Sequence, residues 1–204
     1  MKETIDCIVV GPIQANCWLY PLEEETAEGQ PCIVIDPGDD ADRIISRLKE
    51  LNWFPRYIFA SHGHYDHVTA LPALFDACKK GAFGSVPLPK VGIHKGDLHH
   101  LNRVEVDILF EEGDTFGPIK VMYIPGHSQG CVAFFDEKAG VIFTGDTIFQ
   151  AAWGRTDLPG GNEMQLWQSI KRLLSLKGDI IVLPGHGPAT TIGDEVLTYP
   201  HLAP

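Results

Sequence analysis

Four times along this chain an apolar run ends in a turn and then delivers a side chain able to ligate a metal. The densest case is Ser61-His62-Gly63-His64-Tyr65-Asp66-His67, which follows the apolar run Tyr57-Ile58-Phe59-Ala60. A short buried strand opening into a loop and then a helix would hold this cluster at the strand's carboxyl end. In extended chain, residues two apart point the same way, so His62 and His64 share a direction. Asp66 and His67 arrive as the chain turns and can aim at a neighbouring spot. The spacing therefore serves two adjacent points with imidazole and carboxylate donors, the natural ligands of zinc and its neighbours. A polar surface loop that happens to hold three histidines is the plainer alternative, and the density at ligand spacing argues against it.

The other three cases are Pro125-Gly126-His127-Ser128 after Val121-Met122-Tyr123-Ile124, Thr144-Gly145-Asp146-Thr147 after Val141-Ile142-Phe143, and Pro184-Gly185-His186-Gly187-Pro188 after Ile180-Ile181-Val182-Leu183. Glycine at these turns lets the backbone bend sharply and approach closely. One such fragment is weak evidence; the ordered set is strong.

The set resembles the metallo-β-lactamase-fold hydrolase superfamily, whose pattern is H-x-H-x-D-H followed by a His, an Asp and a His. The resemblance runs from Asn16 to about Pro200. Within it the chain is similar to the small glyoxalase II-like (hydroxyacylglutathione hydrolase-like) branch. That likeness rests on Gly145-Asp146-Thr147-Ile148-Phe149, on Gly154-Arg155-Thr156-Asp157-Leu158-Pro159-Gly160-Gly161, and on the closing Gly185-His186-Gly187-Pro188-Ala189-Thr190-Thr191-Ile192-Gly193. The resemblance implies an α+β four-layer αββα sandwich, where pattern alone gives only mixed α and β.

It also implies two divalent metal ions, zinc first, with iron or manganese as alternatives. His62, His64 and His127 would hold one; Asp66, His67 and His186 the other; Asp146 would bridge them. Similar proteins carry an Asp at the end of the third strand, which makes Asp36 a candidate to orient a ligand histidine, or else a simple turn residue. Such a centre lowers the pKa of bound water to about 7 and stabilises the anion developing on an attacked carbonyl. The reaction class this favours is hydrolysis of a small-molecule ester or thioester, with Asp66 also orienting the hydroxide. Arg155 stands where glyoxalase II has a basic residue that grips glutathione; it would bind a carboxylate bidentately or pair locally with Asp157. Two features depart from that enzyme: its aromatic residue two positions on is Asp157 here, and its helical C-terminal extension has no counterpart before Pro204.

Three rivals share parts of the pattern. A mononuclear iron persulfide dioxygenase would use His62, His127 and Asp146, but those relatives close differently from Gly185-His186-Gly187-Pro188. The best-studied β-lactamases place a Cys where Asp146 stands and lack the equivalent of His67. A non-catalytic metal-binding protein would not need seven intact ligand positions.

Bulk properties narrow the partners. The 204 residues suit a single domain over 1–204 with a sizeable core, 44% of the residues being hydrophobic. A net charge of −11 disfavours a nucleic-acid surface. No apolar run reaches the ~18 residues a membrane span needs, and acids interrupt the amino terminus too early for a signal peptide. Five cysteines without a C-x-x-C read as reduced thiols of a cytoplasmic protein.

In order, the pattern predicts strands at 5–10, 16–20 and 32–36 and an acidic solvated tip at 23–29. A helix follows over 39–52 with Ile44, Ile45, Leu48 and Leu51 as its stripe and Asp39 or Asp40 as cap, then a strand at 57–60 and a helix over 68–78. After a loop come a strand at 91–94 and a helical turn capped by Asp97, in which His99 and His100 are surface residues. Strands at 107–110, 119–124, 132–135 and 141–144 lead to a helix over 162–176 that buries Met164, Leu166, Trp167, Ile170, Leu173 and Leu174. A strand at 180–183 and a short helix over 193–198 close the chain.

Overall fold

A computed structural model describes residues 5–22, 26–101 and 103–202; residues 23–25 of the expected acidic tip lie outside that set. The described chain forms two compact units. The first runs to Ile93 and resumes over His99–Leu109; the second comprises His94–Leu98 and the chain from Phe110 onward.

The first unit is built on a six-stranded sheet whose strands lie in chain order: β1 (Asp6–Val10), β2 (Ala15–Pro21), β3 (Gln30–Ile35), β4 (Trp53–Phe59), β5 (Lys90–His94) and β6 (Ile108–Phe110). β1, β2 and β3 pair antiparallel, while β3, β4 and β5 pair parallel. Parallel neighbours need a crossover, and helices supply both. α1 (Ala41–Glu50) links β3 to β4, and α2 (Tyr65–Val68) with α3 (Leu71–Lys79) links β4 to β5. Ile44 and Leu48 of α1 and Leu71 and Leu74 of α3 are buried in one core with Cys17, Val34, Ile58 and Val91 of the strands.

Three expectations are corrected here. The helix over 68–78 is two helices, because Pro72 has no N–H to donate to the Val68 carbonyl and instead sits in the first turn of α3. β4 begins four residues early, at Trp53. Pro55 does not end the strand, because the register shifts between Cys32 and Ile33 and leaves Arg56 as an extra residue. Asp40 stands at the cap position of α1 without a capping bond, its carboxylate accepting from Gly11 N–H and Arg43 instead.

The second unit carries β7 (Thr115–Phe116), β8 (Ile119–Tyr123), β9 (Val132–Asp136), β10 (Val141–Gly145), the small hairpin β11 (Ile148–Phe149) and β12 (Ala152–Trp153), β13 (Ile181–Pro184) and β14 (Thr190–Thr191). Its six-stranded sheet has the order β14-β13-β10-β9-β8-β7. α4 (Glu163–Leu174) crosses over between the parallel strands β10 and β13, and α5 (Ile192–Thr198) follows β14. Leu166, Ile170 and Leu173 of α4 pack with Ile142, Val182 and Ile192. Met164, expected in that face, is 72% exposed, because two residues before Leu166 is about 200° around the helix. The two-residue strands β7, β11, β12 and β14 are absent from the sequence expectation, being too short to show a period. No helix among the described residues is long and apolar enough to cross a membrane.

Candidate metal centre

Each unit assembles its own cluster of donors at the carboxyl edge of its sheet. In the first, β3 and β4 run parallel, so their ends lie side by side and set Asp36 next to Ser61. Asp36 is 1% exposed and adopts the left-handed backbone (φ 55°), its N–H donating to Phe59 O at 2.9 Å. Its carboxylate accepts from Ser61 N–H and from Ser61 Oγ, both at 2.6 Å, and lies 3.0 Å from His67 Nδ1. A ring whose Nδ1–H donates to a carboxylate presents Nε2 as its coordinating atom. His67 Nε2 stands 3.3 Å from Asp66 Oδ2. Ser61 Oγ also lies 3.1 Å from His62 Nδ1, so one carboxylate and one hydroxyl hold two of the histidines from behind. The His62 ring is 4.8 Å from that of His64 and 4.2 Å from that of His67, centroid to centroid.

In the second unit β10 and β13 are parallel neighbours, which puts Asp146 and His186 side by side at their ends. β8 is antiparallel to β9 and β9 to β10, so β8 also ends at this edge and delivers His127. Asp146 Oδ2 lies 3.5 Å from His127 Nε2 and 3.6 Å from His186 Nε2. His127 Nδ1 is 2.8 Å from the Arg155 carbonyl, which again turns Nε2 toward the carboxylate.

These separations test whether a metal fits. Two donors bound at ~2.1 Å with a tetrahedral angle stand about 3.4 Å apart. The pairs His67–Asp66, His127–Asp146 and His186–Asp146 fall at 3.3, 3.5 and 3.6 Å. Nitrogen with carboxylate oxygen, and no thiolate, is a donor set that suits zinc, iron or manganese.

Arg155 and Asp157 form a bidentate ion pair, Nε–Oδ1 2.7 Å and Nη2–Oδ2 2.6 Å, with both side chains more than half exposed. The guanidinium, hydrogen-bonded to the carboxylate, pulls the Asp157 pKa down to about 2. His99 and His100 are exposed, yet the His100 ring packs on the backbone of Gly63 and lies 6.2 Å from the His64 ring. Asp97, expected as the cap of the helical turn, lies inside that turn (Lys95–His100), and its carboxylate is used elsewhere. Only 2% exposed, it accepts from Ser128 Oγ at 2.6 Å and from Gly130 N–H at 3.0 Å, clamping the loop that carries His127. Ser128 Oγ in turn lies 3.1 Å from Cys131 Sγ. An acid in a polar helical turn carries no sequence signal for such a role.

A chain with these two donor clusters at the ends of these strands belongs to the metallo-β-lactamase superfamily, whose family model matches residues 10–186. It has that superfamily's fold. Among the proteins it is similar to is the hydroxyacylglutathione hydrolase GloC of Haemophilus influenzae, 36% identical with 97% of each chain covered. Two solved structures are also similar. TTHA1623 in a di-iron-bound form has a TM-score of 0.82 and 34% identity, covering 96% of this chain and 99% of that one. BLEG-1 B3 metallo-β-lactamase has a TM-score of 0.82 and 32% identity, covering 98% and 99%.

Proposed function

We propose that the chain is a dinuclear metal-dependent hydrolase that cleaves a thioester or ester, of the hydroxyacylglutathione hydrolase type. The observation that carries this reading is Asp146 Oδ2 standing 3.5 and 3.6 Å from two imidazole Nε2 atoms, the spacing of a carboxylate able to serve two metals. On this reading the two units act as one domain. His62, His64 and His127 hold one ion; Asp66, His67 and His186 hold the other; Asp146 is shared. Bound there, two divalent ions supply hydroxide at neutral pH and stabilise the anion formed at an attacked carbonyl. Asp66, besides helping to hold its ion, would orient the attacking water toward the carbonyl. Asp36 and Ser61 fix the tautomers and ring directions of His67 and His62, which keeps Nε2 available for coordination.

The 36% identity to GloC over nearly the whole chain supports a thioester, and zinc, iron and manganese all suit the donors. Arg155 is the grip for a substrate carboxylate if the substrate displaces Asp157, a pair exposed enough to exchange. The unpaired cysteines support a reducing compartment, which we take to be the cytoplasm.

The test is metal content and turnover measured together on wild-type protein and on His186→Ala. Wild type should carry about two metals per chain and cleave S-lactoylglutathione or other small thioesters. His186→Ala should hold about one metal and lose hydrolysis. Oxygen uptake with glutathione persulfide and opening of a β-lactam ring are followed in parallel. Wild-type protein that consumes oxygen with the persulfide and hydrolyses no thioester or ester would refute the reading.

A further inference from the structure

In the first unit, beside the His62–His67 loop, a cavity of about 330 Å³ opens between α2 and the segment after β5. Gly63, Tyr65, Pro72, His100, Arg103 and Val104 are among its lining residues, and none of the lining residues is acidic. In a chain of net charge −11 that is a local reversal of sign. Arg103 is exposed and forms no ion pair among the described residues, unlike Arg155, which is held by Asp157. Tyr65, between the ligands His64 and Asp66, is 67% exposed, a large aromatic surface left at the cavity mouth. His100 forms part of the wall because Gly63 has no side chain; a Cβ there would run into the imidazole. Walls that are partly apolar, with a guanidinium and an imidazole among them, suit an apolar chain that ends in an anion. At this volume, near the lower end of small-molecule sites (roughly 300–1,000 Å³), the cavity takes part of a substrate rather than all of it.

We propose that this cavity is a specificity pocket for the hydrolysis proposed above: it receives an apolar arm of the substrate that ends in a carboxylate. Arg103 pairs with the carboxylate, Pro72 and Val104 line the arm, and Tyr65 covers it on the side of the metal ligands. The inference rests on the hydrolase reading. It assigns selectivity to Arg103, a residue distant in sequence from every ligand motif. The arm can belong to the acyl half or to the thiol half of a thioester; the chemistry recognised is the same.

The experiment compares matched thioesters. One pair carries a terminal carboxylate, or its neutral amide isostere, on the acyl half; the other pair carries them on the thiol half. Metal-loaded wild-type, Arg103→Ala and Arg103→Lys proteins are assayed by kcat/KM. In wild type the carboxylate member of one pair is preferred, and which pair identifies the half that enters the cavity. Arg103→Ala should lower that preference about ten- to hundredfold, the range for loss of a charge-assisted hydrogen bond, and Arg103→Lys should restore part of it. Calorimetric binding of the non-hydrolysable thioether analogue with the same carboxylate provides a readout free of turnover. Loss of affinity in Arg103→Ala upholds the pocket even if no thioester is cleaved, so this inference and the hydrolase reading can fail separately. A preference ratio and an analogue affinity unchanged by Arg103→Ala overturn it.

Discussion

Two buried carboxylates behind the candidate ligands act alike. Asp36 holds Ser61 and His67; Asp97 holds Ser128 and Gly130, next to His127. Removing the Asp97 carboxylate would leave a hydroxyl and an N–H without their acceptor in a buried setting, at about 1–3 kcal/mol for each such group. Asp97→Ala should therefore destabilise the protein by about 2–3 kcal/mol in urea unfolding and weaken metal binding at His127 in a chelator competition. Asp97→Asn should do both less. Unfolding within about 0.5 kcal/mol of wild type would show that the clamp contributes nothing. The thiols give a pH prediction. Burial pushes Cys7 and Cys131 up to about 12 and Cys78 to about 11, and it raises Cys17 and Cys32 as well. At pH 8 the folded protein should react slowly with a thiol reagent, and all five should react after denaturation. Because the folded values are raised, stability is fully present below the unfolded thiol value near 8.5 and declines as pH rises from there toward 12. A midpoint that holds steady between pH 8.5 and 11 would contradict this. The seven ligand candidates were legible because packing alone seldom puts so many metal donors at fixed spacing after strand-like runs. Asp97 and His100 were not, because their partners Ser128 and Gly63 lie far away in the sequence.

At the scale of elements, the long strands and α1 and α4 were legible from apolar pattern, and what failed was local chemistry. Pro55 is accommodated by a bulge, and Pro72 divides a helix by withholding one donor. The start of α4 was readable in advance: Asn162 Oδ1 accepts from Gln165 N–H at 3.0 Å. That cap lies in the segment joining β12 to α4, and Asn162 N–H also donates to Gly126 O at 2.7 Å, one residue before His127. Asn162→Ala should cost about 1 kcal/mol, read from the thermal midpoint, while Asn162→Asp or Asn162→Ser should recover most of it. Equal midpoints for the alanine and serine variants would mean that the cap carries no weight.

For the whole molecule, metal and fold are linked. If the proposed donors hold ions, binding stabilises the native state by mass action, about 2.7 kcal/mol at a hundredfold excess over Kd. For a chain of this size that is roughly 5–10 °C in Tm. Stripping the protein with a chelator should lower the midpoint by that order, and adding zinc, iron or manganese back should rank the metals by the recovery each gives. A stripped protein with an unchanged midpoint would separate stability from the centre. The close backbone approaches also say which positions are open to change. A side chain at Gly38 would strike the Asp66 carbonyl, one at Gly126 the backbone of Leu166, and one at Gly154 the Asp146 carbonyl. Each contact lies in, or next to, a segment that carries a candidate ligand, and each is with backbone, which cannot swing aside as a flexible side chain can. Selection for a new substrate is therefore channelled. Libraries that spare these three glycines and vary Arg103 and Val104 should yield many folded, metal-competent variants, whereas libraries that randomise the glycines should return mostly dead clones.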